Sequence, residues 1–230
     1  MKIFFKTIIF TVLIVAGCTP KPYSSTNKVY KEQAKKYATT IKTTPTITAN
    51  DSIKAANNFV GTVNFTMRKP NFVIIHHTAQ NSCDETLKTF TTTKREVSAH
   101  YVICREGVVF NMLNDYLRAH HAGTSKWSNV IDMNSCSIGI EIDNNGFEPF
   151  TDAQINSLIS LLGILKKKYS IPTANFIGHG DIAPTRKNDP SILFPWKKLA
   201  DNGFGIWYDT ERLATPENFN HITALRIIGY

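Results

Sequence analysis

The sequence predicts an α/β fold, a mixed central β-sheet flanked by helices, and three observations carry that expectation. Phe72 to Ile75 is an uninterrupted apolar run, the pattern of a strand buried on both faces. Ser137 to Ile142 alternates, with Ile138, Ile140 and Ile142 on one face and Glu141 on the other. Between that strand and a third apolar stretch, Asn175 to Gly178, lies the clearest helical pattern in the chain: Ile155, Leu158, Ile159, Leu162 and Leu165. Strands alternating with helices in this order build a sheet covered by helices.

Taken from its start, the chain opens with Lys2 and Lys6 flanking the apolar run Ile8 to Val15, which leads into Ala16-Gly17-Cys18. A short basic region, a short apolar core and small residues make a secretory signal over residues 1–17, too short to span stably as a helix. Ala-Gly-Cys resembles a bacterial lipobox, which implies lipidation of Cys18 and a membrane anchor. Thr19 follows, where an aspartate would imply inner-membrane retention, so the expected location is the outer membrane facing the periplasm. Residues 18–55 are rich in Thr, Lys, Ser, Asn and Ala and read as a flexible basic tether, with a typical reach of about 30 Å.

The chain holds 26 Lys and Arg against 18 Asp and Glu. Nine of those basic residues and two of the acidic ones precede residue 56, so the folded part is close to neutral. The high pI therefore gives no sign of a nucleic-acid partner. With Cys18 used by lipid, Cys83, Cys104 and Cys136 form at most one disulfide within the chain.

From residue 56 the chain reads as one domain. Ser82 and Glu85 form a capping box opening a polar helix that runs to about Val97. Ser98 to Cys104 and Val108 to Met112, around Arg105-Glu-Gly107, read as a hairpin. Thr151 with Gln154 caps the long helix, which Ile171-Pro172 ends.

The polar constellation sits at strand ends. His179-Gly-Asp181-Ile-Ala-Pro-Thr-Arg186-Lys187-Asn188-Asp189-Pro190 packs a histidine, two aspartates, an arginine and a lysine into twelve residues, and its two prolines are expected to deny it helix and central strand. His179 and Asp189 can supply a nitrogen and an oxygen to one zinc ion. A catalytic site needs three protein ligands and an open position, and His76, at the end of the first strand, is the best third. A histidine after a strand is commonly a core residue, and Asp before Pro commonly opens a turn. Two strand-ending histidines together with Glu141 on a third strand are what point to a metal.

These residues fall in five ordered blocks: Ile75-His76-His77-Thr-Ala, Val97-Ser-Ala-His-Tyr101, His121-Ala-Gly, Ser137-Ile-Gly-Ile-Glu141, and His179-x-Asp-Ile-Ala-Pro-x-Arg-Lys-x-Asp189-Pro. Over about residues 70–210 the chain thereby resembles the zinc-dependent N-acetylmuramoyl-L-alanine amidases, a family shared with peptidoglycan recognition proteins and phage lysozyme-type amidases, and most of all its outer-membrane lipoprotein members. The resemblance implies a peptidoglycan-recognition-protein-like amidase domain over residues 56–210 and one Zn2+ per chain on His76, His179 and Asp189. His76 is taken over His77 because the family's ligand is the first residue after the apolar run. It further implies Glu141 as general base, Lys187 as oxyanion-stabilising cation, and His121 and Tyr101 at the substrate. His120 stands where the family usually has tryptophan, which alters one wall of the groove.

The implied activity is hydrolysis of the amide between N-acetylmuramic acid and L-alanine, in peptidoglycan or muropeptides. Metal ligands usually have hydrogen-bonded partners behind them; Asp181, Arg186 and Asn188 are available, with none assigned. Residues 211–230 read as a short helical tail: the resemblance implies the beginning of a small helical wall-binding module there, and packing on the catalytic domain is the expected role. The rival reading is a non-catalytic peptidoglycan-binding lipoprotein, against which the full set of ligands and Glu141 argues. The sequence leaves the oligomeric state open.

Overall fold

A five-stranded sheet organises the larger part of the protein in the computed structural model, which describes residues 21–42 and 66–230. The signal-peptide and Cys18 expectations lie outside the described residues. The strands are β1 (Phe72–His77), β2 (Tyr101–Ile103), β3 (Val109–Asn111), β4 (Ser137–Ile142) and β5 (Phe176–Gly178), in the spatial order β3-β2-β4-β1-β5. β2, β4, β1 and β5 run parallel, and β3 closes one edge antiparallel to β2. Gly107, at φ +80°, makes the turn of that hairpin.

β1 is central because it is apolar on both faces, with Val73, Ile74 and Ile75 inaccessible to solvent. On one side Val73, Ile75, Ile138, Ile140 and Ile142 pack against the long helix Asp152–Tyr169 through Ile155, Leu158, Leu162 and Leu165. Each such side chain, fully buried, contributes roughly 1.5–3 kcal/mol. Thr151 and Gln154 cap this helix reciprocally, as their spacing predicts. On the other side a smaller cluster gathers Phe72, Ile74, Ala122, Met133, Ile177 and Ile182. The sheet thus has a thick apolar side and a thinner one that shares its space with polar groups.

Two expectations need adjustment. The helix capped by Ser82 spans only Cys83–Thr91, followed by a 3-10 turn at Thr93–Arg95, instead of reaching Val97. The run Thr91-Thr-Thr93 explains the early stop, since β-branched residues lose side-chain freedom in a helix. Within the tether, Ser24–Lys42 forms a 19-residue helix, α1, where a coil was expected. Its Lys, Gln, Glu and Ala content favours helix even though none of its residues is buried. The chain divides into two compact units, residues 1–63 and 64–230.

Cys83 and Cys104 form a disulfide and Cys136 is free. At the far end, helix His221–Ile228 leads into a docked terminus. The Gly229 carbonyl accepts from the Ser128 N–H at 2.7 Å, and the Tyr230 ring meets Trp127 edge-on at 5.2 Å. Its hydroxyl donates to Asp181 at 2.5 Å.

A candidate metal centre at the strand ends

The carboxyl ends of parallel strands are where open α/β sheets gather ligands. His76 ends β1 and stands in register with Glu141 on β4. β5, on the other side of β1, delivers His179 in the residue after Gly178. Asp189 arrives from the loop that follows, where its carbonyl accepts the Gly180 N–H at 2.8 Å.

His76, His179 and Asp189 are 1%, 3% and 7% exposed and can together hold a metal ion. His76 Nδ1, His179 Nδ1 and Asp189 Oδ2 form a triangle with all three edges 3.0 Å. Hydrogen bonds at the far ring nitrogens decide what this triangle contains. His179 Nε2 faces the Ala122 carbonyl at 3.0 Å, and a carbonyl only accepts, so the proton sits on Nε2 and Nδ1 offers a lone pair. His76 Nε2 meets His121 Nδ1 at 3.1 Å, and His121 Nε2 meets Ser137 Oγ at 3.3 Å. The Ser137 hydroxyl donates to the Met133 carbonyl. Read back from that carbonyl, His121 carries its proton on Nε2 and accepts from His76 Nε2–H. The Nδ1 of His76 is a lone pair too.

Burial pushes the His76 pKa down to about 4 and, with the neighbouring histidines, pushes that of His121 well below its usual value. Both rings are therefore neutral, the form that ligates metal. Protons on both Nδ1 atoms would satisfy Asp189, yet would set two N–H groups against each other at 3.0 Å and break the His179–Ala122 bond. Three acceptors converging on one point fit a cation. Atoms held about 2.0–2.1 Å from a tetrahedral zinc stand roughly 3.3 Å apart, so the triangle need open by only a few tenths of an ångström.

β4 supplies the rest on its inward face. Ser137 accepts from His121. Gly139 leaves room for the His121 ring: a Cβ there would lie 2.4 Å from its Cγ. Glu141, 9% exposed, has no hydrogen-bond partner among the described residues, and burial, seconded by the Asp189 charge, raises its pKa well above the usual value. Lys187 is exposed on the loop and lies near enough to oppose that rise. Arg186 donates to the Ala122 and Thr124 carbonyls at 2.8 Å each, so one carbonyl, that of Ala122, gathers both Arg186 and His179. Asp181 accepts the Gly178 N–H at 2.7 Å and the Tyr230 hydroxyl. Asn134, unnoticed in the sequence, accepts from the backbone of both His121 and Ala122.

Of the two residues expected at the substrate, Tyr101 is in register with Ile140 on the face covered by the long helix, where its hydroxyl donates to Asp115 at 2.8 Å. His121 has both ring nitrogens engaged, one by His76 and one by Ser137.

Residues 66–192 match the family model described as N-acetylmuramoyl-L-alanine amidase. The chain is 38% identical over 157 residues to N-acetylmuramoyl-L-alanine amidase AmiD of Escherichia coli, a match covering 61% of this chain and 56% of that relative. It thus spans little more than half the length of that curated relative. Among solved structures, it is similar to E. coli AmiD in complex with the substrate anhydro-N-acetylmuramic acid-L-Ala-D-gamma-Glu-L-Lys, with TM-score 0.64 and 31% identity over 74% of this chain and 75% of that one. It is equally similar to AmpDh3 of Pseudomonas aeruginosa bound to an anhydromuramic pentapeptide, with TM-score 0.64 and 31% identity over 77% and 80% of the two chains.

Proposed function

Because the chain belongs to the N-acetylmuramoyl-L-alanine amidase family, we propose that it hydrolyses the amide between N-acetylmuramic acid and the L-alanine of a peptidoglycan stem peptide. The observation that carries this reading is the convergence of three buried lone-pair atoms beside the unpartnered Glu141 carboxyl. His76 Nδ1, His179 Nδ1 and Asp189 Oδ2 would hold one zinc ion. When bound, the metal supplies Lewis acidity to the amide carbonyl and to the attacking water.

The protein's own groups do the rest. Glu141, whose pKa burial raises well above the usual value, accepts the proton of the attacking water and returns it to the departing amine of L-alanine. Lys187 stabilises the charge that develops on the carbonyl oxygen, a single donor of this kind being worth about 3–4 kcal/mol. His121 and Ser137 keep the His76 proton on Nε2. Arg186 holds the carbonyl that does the same for His179.

We place the catalytic domain over residues 56–210, with residues 211–230 docked on it. The envelope location, with a signal peptide over 1–17 and lipidation of Cys18 in the outer membrane, also belongs to the proposal. The Cys83–Cys104 disulfide supports export, since disulfides persist in oxidising compartments. Among the described residues no helix is long and apolar enough to cross a membrane.

The test is product analysis. Incubating the purified chain with a defined muropeptide should release the free stem peptide with an L-alanine amino terminus, detected by mass spectrometry. Binding of the muropeptide without release would instead leave a recognition module.

A further inference from the structure

We propose that α1 lies on the surface of an anionic lipid bilayer, its apolar stripe in the headgroup region and its lysines drawn by the negative lipids. The helix spans Ser24–Lys42, and none of its residues is buried. Tyr30, Ala34, Tyr37 and Ile41 recur at i, i+4, i+7 and i+11 and so share one face. Tyr37 and Ile41 are 53% and 73% exposed. Lys28, Lys31, Lys35 and Lys42 line the opposite face, and Lys36 with Glu32 leaves the helix at a net charge of +4.

An isolated helix of this length is marginal in water, so its stability must come from a surface that takes up the apolar stripe. Three occupants could cover it, and charge and chemistry choose between them. A second copy of α1 would bring +4 against +4. An anionic wall polymer would satisfy the lysines while leaving two tyrosines and an isoleucine in water. An anionic bilayer takes both faces at once: tyrosines favour the membrane interface, and basic side chains on the polar face are attracted by acidic headgroups. Within its own unit the helix follows Cys18 by only five intervening residues, so lipid at that position would bring α1 to the same surface. The inference does not depend on the amidase reading, because nothing in the metal centre enters it.

The experiment measures binding of the full chain to two kinds of vesicle, phosphatidylcholine alone and phosphatidylcholine with 30% phosphatidylglycerol. The chain is compared with a variant carrying Lys28→Gln, Lys31→Gln, Lys35→Gln and Lys42→Gln, and with the same four positions changed to arginine. Residues 1–18 are identical in all three, so any anchor contributes equally, and glutamine keeps the helix propensity. The expected result is binding to the anionic vesicles at least about tenfold tighter than to the neutral ones. That preference should vanish in the glutamine variant, persist in the arginine variant and weaken as salt is raised. A third variant, Tyr30→Ser, Tyr37→Ser and Ile41→Ser, should bind anionic vesicles more weakly than wild type, and the wild-type helix signal in circular dichroism should rise on vesicle addition. Equal binding by wild type and glutamine variant would overturn the proposal. So would self-association of the wild type that the serine variant loses, or lysine-dependent retention on purified cell wall without any vesicle preference.

Discussion

The two faces of β4 belong to the same six residues and do opposite work. Ile138, Ile140 and Ile142 are inaccessible and belong to the apolar cluster under the long helix. Ser137, Gly139 and Glu141 are also buried but make no core: one accepts a hydrogen bond, one is a space, and one carries a carboxyl with no hydrogen-bond partner among the described residues. The apolar face needs only volume and hydrophobicity, which several side chains can provide. The polar face needs a particular atom at each level, because buried polar groups are costly unless met. Substitutions should therefore damage stability on one face and metal binding or turnover on the other.

The sharpest separation should come from Glu141→Gln. It keeps shape and burial while removing the base, so muropeptide turnover should fall by about 10²–10⁴-fold with metal content unchanged. On the opposite face, Ile140→Ala should cost about 2–5 kcal/mol in denaturant unfolding and leave metal stoichiometry intact. Gly139→Ala drives a methyl group into His121 and should weaken zinc affinity by about 10–100-fold, the usual effect of disturbing a group behind a metal ligand, read by chelator competition. If Gly139→Ala bound zinc normally, the account of His121 as the residue that orients His76 would be wrong.

The smallest effect concerns pH and again the apolar side. Burial opposes the charge of Asp115, but donors from Tyr169, Tyr101 and Lys168 outweigh it and hold its pKa below that of an ordinary aspartate. A carboxyl with a lowered native pKa stabilises the fold above its unfolded pKa, and that contribution disappears as pH falls through the native one. Unfolding measured from pH 5 down to pH 2 should show wild type losing more stability than Asp115→Asn, with metal binding at neutral pH alike in the two.

Much of this difference was legible in the residue order. The period-two alternation of Ser137 to Ile142 separates its faces, and His76, His179 and Asp189 announce themselves as strand-end and loop groups. The motif around Tyr101 does not tell which side of the sheet it takes; the register with Ile140 decides that. His121 needed the third dimension: only the fold brings it within 3.1 Å of His76, 45 positions away. Gly139 carried a readable signal, since a glycine in phase with Ser137 and Glu141 marks a close approach on the polar face. Asn134 and the Ala122 carbonyl had none, because a backbone acceptor leaves no trace in side-chain identity. The α1 helix was missed for a different reason: a segment without buried residues reads as a coil when composition is weighed by hydrophobicity alone.

The most direct test of the central claim is a zinc titration of metal-free protein, with His76→Ala, His121→Phe and Glu141→Gln beside it. The account predicts one zinc per chain for wild type and for Glu141→Gln, loss of the site in His76→Ala, and a full stoichiometry with affinity weaker by about 10–100-fold in His121→Phe. Zinc bound with equal affinity by wild type and His76→Ala would contradict it, since the ion would then lie outside the triangle of His76, His179 and Asp189.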